Sequence, residues 1–208
     1  MCSSFNICII SFKCFWCHGI FFLALRFTNT INGCKNRRQV IYSVDQSSVN
    51  SIVIKKRSIN VPANTSTKLS TTDPYTTLTT DIYNGVVRRF TKVTKQLRPA
   101  KPVAPFGLCF STSTAGLKVP DIDFSLPDGK KWTVSTANSI KQITNEVACL
   151  AFVDGGATSE PAIVIGTFQF EDNFLEFDLE NSTFGFSSSL LRKPTSCANF
   201  NFTLTDGP

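Results

Sequence analysis

The segment Ala162-Ile163-Val164-Ile165-Gly166, followed by Phe177-Asp178-Leu179 and then Phe184-Gly185-Phe186, governs the reading of the whole chain. Its first piece is an apolar run too short for a globular helix and closed by glycine, the pattern of a short buried strand bounded by a turn residue. The two later pieces alternate large apolar side chains with a polar or minimal one. That period of two belongs to strands, whose successive side chains point to opposite faces of a sheet.

The same punctuation runs upstream. Leu108-Cys109-Phe110, Ile122 to Leu126, Trp132-Thr133-Val134 and Ala148 to Val153 are further short apolar runs separated by Gly and Pro. Ser51-Ile52-Val53-Ile54 and Ser58-Ile59-Asn60-Val61 read as a hairpin joined by the basic turn Lys55-Lys56-Arg57, and Pro62 ends its second strand. One segment has a helical period: Leu78, Ile82, Val86, Phe90, Val93 and Leu97 recur at spacings of three and four. Thr79, Thr80 and Asp81 offer capping groups at its start, and Pro99 stops it. Phe occurs 19 times against a single Met, which favours strands over long amphipathic helices. The expected fold is mainly β with one or two short helices, in one domain over residues 47–208.

Residues 1–46 stand apart. They hold five of the eight cysteines (Cys2, Cys8, Cys14, Cys17 and Cys34) and an apolar stretch, Ile9 to Leu25, broken by Lys13 and His18. The stretch lacks the basic start of a secretory signal and is too interrupted for a membrane span. Two readings stay open for it, a poor signal sequence or a mispredicted start. Cys14-Phe15-Trp16-Cys17 has the spacing of a redox or metal pair, yet no second pair follows at zinc-site spacing, so neither a metal nor a cofactor is expected.

Charge is distributed unevenly. From Lys55 to Lys101 there are ten Lys or Arg against Asp73 and Asp81; from Pro102 onward six basic residues face twelve acidic ones. A nucleic-acid binder would interleave aromatics with its basic residues or show a reading module, and neither is present. Lys55, Lys56 and Arg57 read as a solvated turn. Asn64, Asn181 and Asn201 each open an Asn-X-Ser/Thr triplet, a glycosylation acceptor in a secreted protein. With Cys109, Cys149 and Cys197 widely spaced, these sites tilt the chain toward an oxidising compartment.

The three pieces quoted first are together similar to the closing segment of pepsin-like aspartic peptidases. Four further stretches narrow the resemblance: Pro102 to Phe110, Val153-Asp154-Gly155-Gly156, Glu171 to Leu179, and Cys197 to Phe202. They resemble the non-proteolytic plant branch that holds basic seven-S globulin, the carrot extracellular dermal glycoprotein and inhibitors of microbial xylanases and endoglucanases. The resemblance covers about Val49 to Thr203 and implies the C-terminal lobe of the bilobal pepsin-like fold, with Gly166 letting the backbone pass close to the active-site strands. A first lobe has no counterpart in these residues. The resemblance further implies a disulfide between Cys109 and Cys149, and a partner for Cys197 in the first lobe.

Aspartic peptidases cut amides with two carboxylates that share a proton and activate one water. The second-lobe motif, hydrophobic-Asp-Thr/Ser-Gly-Thr/Ser, falls on Leu69-Ser70-Thr71-Thr72-Asp73. Ser70 holds the aspartate's place and Thr72 the glycine's, and a serine carries no negative charge near neutral pH. Asp73, directly before Pro74, reads as a turn residue. Ser70 as a nucleophile would need a base, and the folded part has no histidine. Glu171, Asp172, Glu176, Asp178 and Glu180 read as a solvated strand face rather than a glycosidase pair.

The chain is therefore expected to be a catalytically inactive homologue. It would be secreted to the apoplast or cell wall, bind no nucleic acid and have no membrane segment in its folded part. The implied partner is a microbial glycoside hydrolase, a xylanase or an endoglucanase; a storage or stress protein of the same branch stands beside that reading. By position, Lys193, with Arg192 beside it, would meet the target's acidic catalytic residues. Leu117 and Lys118 would act from the companion loop, Ser111 to Pro120. Fold membership alone would instead give an aspartic endopeptidase, or a truncated product without function.

Overall fold

The computed structural model describes residues 8–12, 41–43, 49–63, 65–112, 117–127, 129–178, 183–187 and 189–192. The chain divides into two compact units, Arg38–Gln169 and a smaller one made of Met1–Arg37 with Phe170–Pro208. Elements are numbered along the chain.

The smaller unit holds a three-stranded sheet. In it β1 (Cys8–Phe12) runs parallel to β15 (Phe174–Asp178), which pairs antiparallel with β16 (Thr183–Phe186). A turn of 3-10 helix, Leu190–Arg192, follows. Asp172 accepts at its carbonyl from the Leu190 N–H at 2.8 Å and so ties that turn to the start of β15.

The larger unit begins with β2 (Ile41–Ser43) and the hairpin β3 (Ser51–Ile54) and β4 (Arg57–Asn60). These are followed by β5 (Thr67–Ser70), β6 (Thr76–Leu78) and the helix α1 (Thr80–Val93). Next come β7 (Pro99–Ala100), β8 (Cys109–Ser111), β9 (Ile122–Ser125), β10 (Lys131–Val134) and α2 (Thr136–Ser139). Last are β11 (Ile140–Thr144), β12 (Val147–Leu150), β13 (Phe152–Asp154), β14 (Ile163–Ile165) and α3 (Thr167–Phe170). They form three sheets, with strand orders β10-β9-β3-β4, β11-β12-β8-β7 and β13-β6-β14-β5-β2.

Alternation in the sequence becomes one buried face. In the first of these sheets Ile52 lies opposite both Ile59 and Phe124, and Trp132 opposite Phe124. Ile54, Ile122 and Val134 form the next row, and Ile52, Ile54, Ile122 and Phe124 are fully buried. Phe124 reaches Phe152 of β13 at 6.3 Å between ring centroids, and Phe90 of α1 reaches Phe110 of β8 at the same distance. Each such aromatic contributes about 2 kcal/mol by leaving water.

Three local readings differ from the sequence pattern. The hairpin turn has two residues rather than three: Lys55 and Lys56 sit at φ 48° and 63°, and Arg57 already belongs to β4. Two left-handed residues are what a tight turn needs to match the strand twist. The run Ala148 to Val153 is cut at Ala151 into β12 and β13, which lie in different sheets. The helix ends at Val93 instead of running to Leu97: Thr94 is its C-cap, with backbone at φ −111° and ψ 26°, and closes the last helical bond from its N–H to the Phe90 carbonyl (3.0 Å) with its hydroxyl on the same oxygen (2.8 Å). At the helix start Thr79 makes no side-chain cap; Thr80 instead gives its hydroxyl to Asp154 at 2.8 Å, tying α1 to β13.

Candidate functional site

The five-stranded sheet positions the site. β5 and β6 are consecutive in the chain but do not pair with each other; β14 is inserted between them, parallel to β5 and antiparallel to β6. The connection from β5 to β6, residues 71–75, must therefore arch over the end of β14, where Gly166 lies. A Cβ built on Gly166 would stand 2.5 Å, 2.6 Å and 2.7 Å from the C, O and N of Tyr75. Only a residue without a side chain lets this strand end pass beneath that loop.

The loop is closed by Ser70, which is fully buried at the end of β5. Its Oγ accepts from the backbone N–H of Asp73 (3.1 Å) and of Thr72 (3.3 Å) and donates to the Asp73 carboxylate at 2.5 Å; the Thr72 hydroxyl lies 3.1 Å away. A hydroxyl has one proton and two lone pairs, and here all of them are spent inside the loop. Asp73 and Pro74 in turn accept at their carbonyls from the N–H groups of Thr167 (2.9 Å) and Phe168 (3.0 Å), which open α3. The loop thus rests on the helix that follows Gly166. Leu69 is buried, and Thr72 is exposed on the outer side of the turn.

Beneath the loop lies a polar network that the sequence pattern did not single out. Gln169, with no exposed surface, accepts at Oε1 from the Thr76 N–H (3.0 Å) and hydroxyl (2.8 Å) and donates from Nε2 to the carbonyls of Asn138 (2.9 Å) and Ala151 (3.1 Å). The Thr76 hydroxyl also accepts from the Gly166 N–H at 3.3 Å, and Asn138 donates to the Phe168 carbonyl at 3.2 Å. One amide side chain therefore joins β6, α2 and the link between β12 and β13, and Thr76 extends the network to Gly166 at the end of β14. A buried glutamine is costly unless all its sites are filled, and a Gln inside the apolar run Thr167 to Phe170 was the available signal.

Around the loop, Tyr75 packs edge-on to Phe106 (4.7 Å) and Phe168 (5.9 Å), and the Lys141 ammonium sits 5.1 Å over the Phe168 ring. Cys109 and Cys149 are opposite one another on β8 and β12 and are disulfide-bonded (S–S 2.02 Å) beneath this cluster. Tyr83 is held above its usual ionisation range, first by burial and further by the charge of Asp154, against a hydrogen bond from the Gly107 N–H that favours the phenolate.

Of the partner-facing residues expected from the sequence, Leu117 is half-buried and Lys118 exposed just before β9 in the larger unit, and Arg192 is exposed at the end of the 3-10 turn in the smaller one. Lys193, Cys197, Asn64, Asn181 and Asn201 lie outside the described residues. Among the described residues no group of three or more His, Cys, Asp or Glu converges on a metal-sized site, and no helix is long and apolar enough to cross a membrane.

The family described as "Xylanase inhibitor C-terminal" matches residues 42–188. The chain belongs to that family. It is 50% identical over 141 residues to Gamma conglutin 1 of Prunus dulcis and 45% identical over 143 residues to "Probable aspartic proteinase GIP2" of Nicotiana benthamiana. These matches take in 64% and 66% of this chain and 33% of each relative, so the chain spans about a third of the length of the curated relatives it matches. Among solved structures, edgp superposes with a TM-score of 0.69 at 41% identity over 74% of this chain and 42% of that one. The basic 7S globulin of soybean gives 0.66 at 35% identity over 76% and 42%. The fold is the C-terminal lobe of the pepsin-like architecture, and the family is one of globulin-like and inhibitor-like proteins.

Proposed function

We propose that this chain is a non-proteolytic lobe, residues 47–208, of a secreted protein that binds and inhibits microbial glycoside hydrolases. The observation that carries the reading is Ser70. It stands where the pepsin-like motif places its aspartate, and its hydroxyl is fully engaged by Thr72 and Asp73. A buried hydroxyl with no free lone pair neither holds a water for attack nor attacks itself. Two substitutions in one motif, Ser70 and Thr72, turn a catalytic loop into a structural one. The family's description supports a binding role.

In this reading Lys193, flanked by Arg192, enters the target's cleft and meets its catalytic carboxylates, while Leu117 and Lys118 contact the rim. A cation desolvated between two carboxylates gains charge-assisted contacts and leaves an unpaired pair when removed. Inhibition titrations against a fungal xylanase and an endoglucanase test this. Lys193→Ala should weaken inhibition by roughly 2–5 kcal/mol, and Lys55→Ala, in the solvated hairpin turn, should change it little. Equal small effects at both positions would remove Lys193 from the inhibitory role. The identity to Gamma conglutin 1 and the likeness to basic 7S globulin favour a second reading, a storage or stress globulin; that reading gains if neither hydrolase is bound.

A further inference from the structure

The sequence presents Lys55-Lys56-Arg57 as an isolated basic turn; the fold brings a helix flank beside it. α1 packs against β3 and β4. A Cβ on Gly85 would stand 2.9 Å from Ile59 Cγ2, so the helix lies directly on the hairpin at that point. One turn on, Arg89 donates from Nε to the Ile54 carbonyl (3.1 Å) and from Nη2 to the Lys55 carbonyl (3.0 Å), clamping the helix to the start of the turn. Arg57 shares its strand face with Ile59 and so lies on the helix side of the hairpin. Arg88 and Lys92, four residues apart on α1, are exposed neighbours on one flank.

Six cations, Lys55, Lys56, Arg57, Arg88, Arg89 and Lys92, are thus collected on one surface of the larger unit. Asp81 lies two helical turns back, about 10 Å from Arg88 by the helical rise. Asp121 stands one register step beyond the Ile54–Ile122 pair, across from the turn. Like charges at helix spacing four repel, and Lys55 and Lys56 both hold left-handed backbone that bulky residues disfavour. Local stability would be better served by other residues at these positions.

The character of the surface selects among polyanions. The aromatics of α1, Tyr83 and Phe90, are both buried, which leaves no platform for stacking bases. The exposed large apolar residues among those described are Val103 and Leu191, neither of them on β3, β4 or α1, so these elements offer no apolar side chain to insert into a bilayer. We infer that this surface binds a linear acidic polysaccharide, a chain of carboxylated sugars that meets the cations with charge alone. The inference is independent of the inhibitory reading and uses none of its residues.

Polygalacturonate is the probe, with the 208-residue chain and two variants. Arg88→Gln with Lys92→Gln removes the helix flank. Lys55→Asn with Lys56→Gly removes two turn cations while installing the preferred turn pair, so its unfolding midpoint should rise. Each variant should bind on the order of tenfold more weakly at about 50 mM salt, with a shallower salt dependence. The fully methyl-esterified polymer should not be retained. The inference is overturned by any of four results: no binding by the parent chain, equal binding of the methyl ester, variants that bind as the parent does, or tighter binding of single-stranded DNA or of phosphatidylserine vesicles than of polygalacturonate.

Discussion

Gly166→Ala should be among the most damaging single-methyl changes in this chain. The added Cβ would meet three backbone atoms of Tyr75 at 2.5–2.7 Å, where carbon contacts settle near 3.5–4 Å, so about 1 Å of separation must be created. The loop cannot yield freely. Thr167 N–H to Asp73 O (2.9 Å) and Phe168 N–H to Pro74 O (3.0 Å) hold it on one side, and Gly166 N–H to Thr76 Oγ1 (3.3 Å) holds the strand on the other. Overpacking costs about 1–3 kcal/mol, and losing one buried hydrogen bond adds about 1–3 more, for a total of roughly 2–6 kcal/mol. Gly129→Ala is the matched control: that site is open but has φ +77°, so the cost is only about 1–2 kcal/mol of left-handed strain. Urea unfolding followed by tryptophan fluorescence, with Trp132 buried as reporter, measures both. If Gly166→Ala proved no more destabilising than Gly129→Ala, the loop would not be pinned against β14 as described.

Three further outcomes follow from named contacts. Gln169→Leu should cost about 3–5 kcal/mol, more than its lost packing, because the Thr76 N–H and the carbonyls of Asn138 and Ala151 would be left buried without partners; chemical denaturation checks it. Removing the disulfide by Cys109→Ala with Cys149→Ala frees a loop of 40 residues and should lower stability by about 4 kcal/mol on the chain-entropy account, read as a shift of the unfolding midpoint. Tyr83 has a folded-state ionisation raised above its unfolded value, so its neutral form contributes stability that is fully present below the unfolded range near pH 10 and is lost as pH rises through the folded one; tyrosinate absorbance of the parent against Tyr83→Phe should show one late-ionising phenol, and its absence would refute the assignment.

The β architecture was legible because its signals are local. Ile52, Ile54, Ile122 and Phe124 alternate within their strands, and alternation alone places them on one face. The glycine of Ile165-Gly166 marked a close approach, though only the insertion of β14 between β5 and β6 identifies Tyr75 as what it approaches. Helix extent was misread because Leu97 continues the spacing of three and four, while the backbone leaves helical values at Thr94 (φ −111°, ψ 26°), whose hydroxyl also takes the Phe90 carbonyl. The Gln169 network was invisible for a different reason. Its partners Thr76, Asn138 and Ala151 lie 18 to 93 residues away, and no periodicity encodes a long-range polar contact. The basic surface shows the same limit: Lys55-Lys56-Arg57 reads as a solvated run until Arg89 brings α1 alongside.

In the proposed reading Ser70 makes this lobe's loop a structural element instead of half of a catalytic pair. Its hydroxyl organises the backbone of Thr72 and Asp73, and replacing it with aspartate would set two carboxylates side by side. Ser70→Asp should therefore be less stable than the parent, since two carboxylates held in contact repel and the bonds of the Ser70 hydroxyl to the Thr72 and Asp73 N–H groups are lost. The most direct measurement is hydrolysis of a fluorogenic peptide at about pH 3–5, with and without pepstatin, by the purified chain and by Ser70→Asp, in the acid range where a proton-sharing carboxylate pair operates. Neither protein should show pepstatin-sensitive turnover; pepstatin-sensitive cleavage by the parent chain would rule out a non-proteolytic lobe.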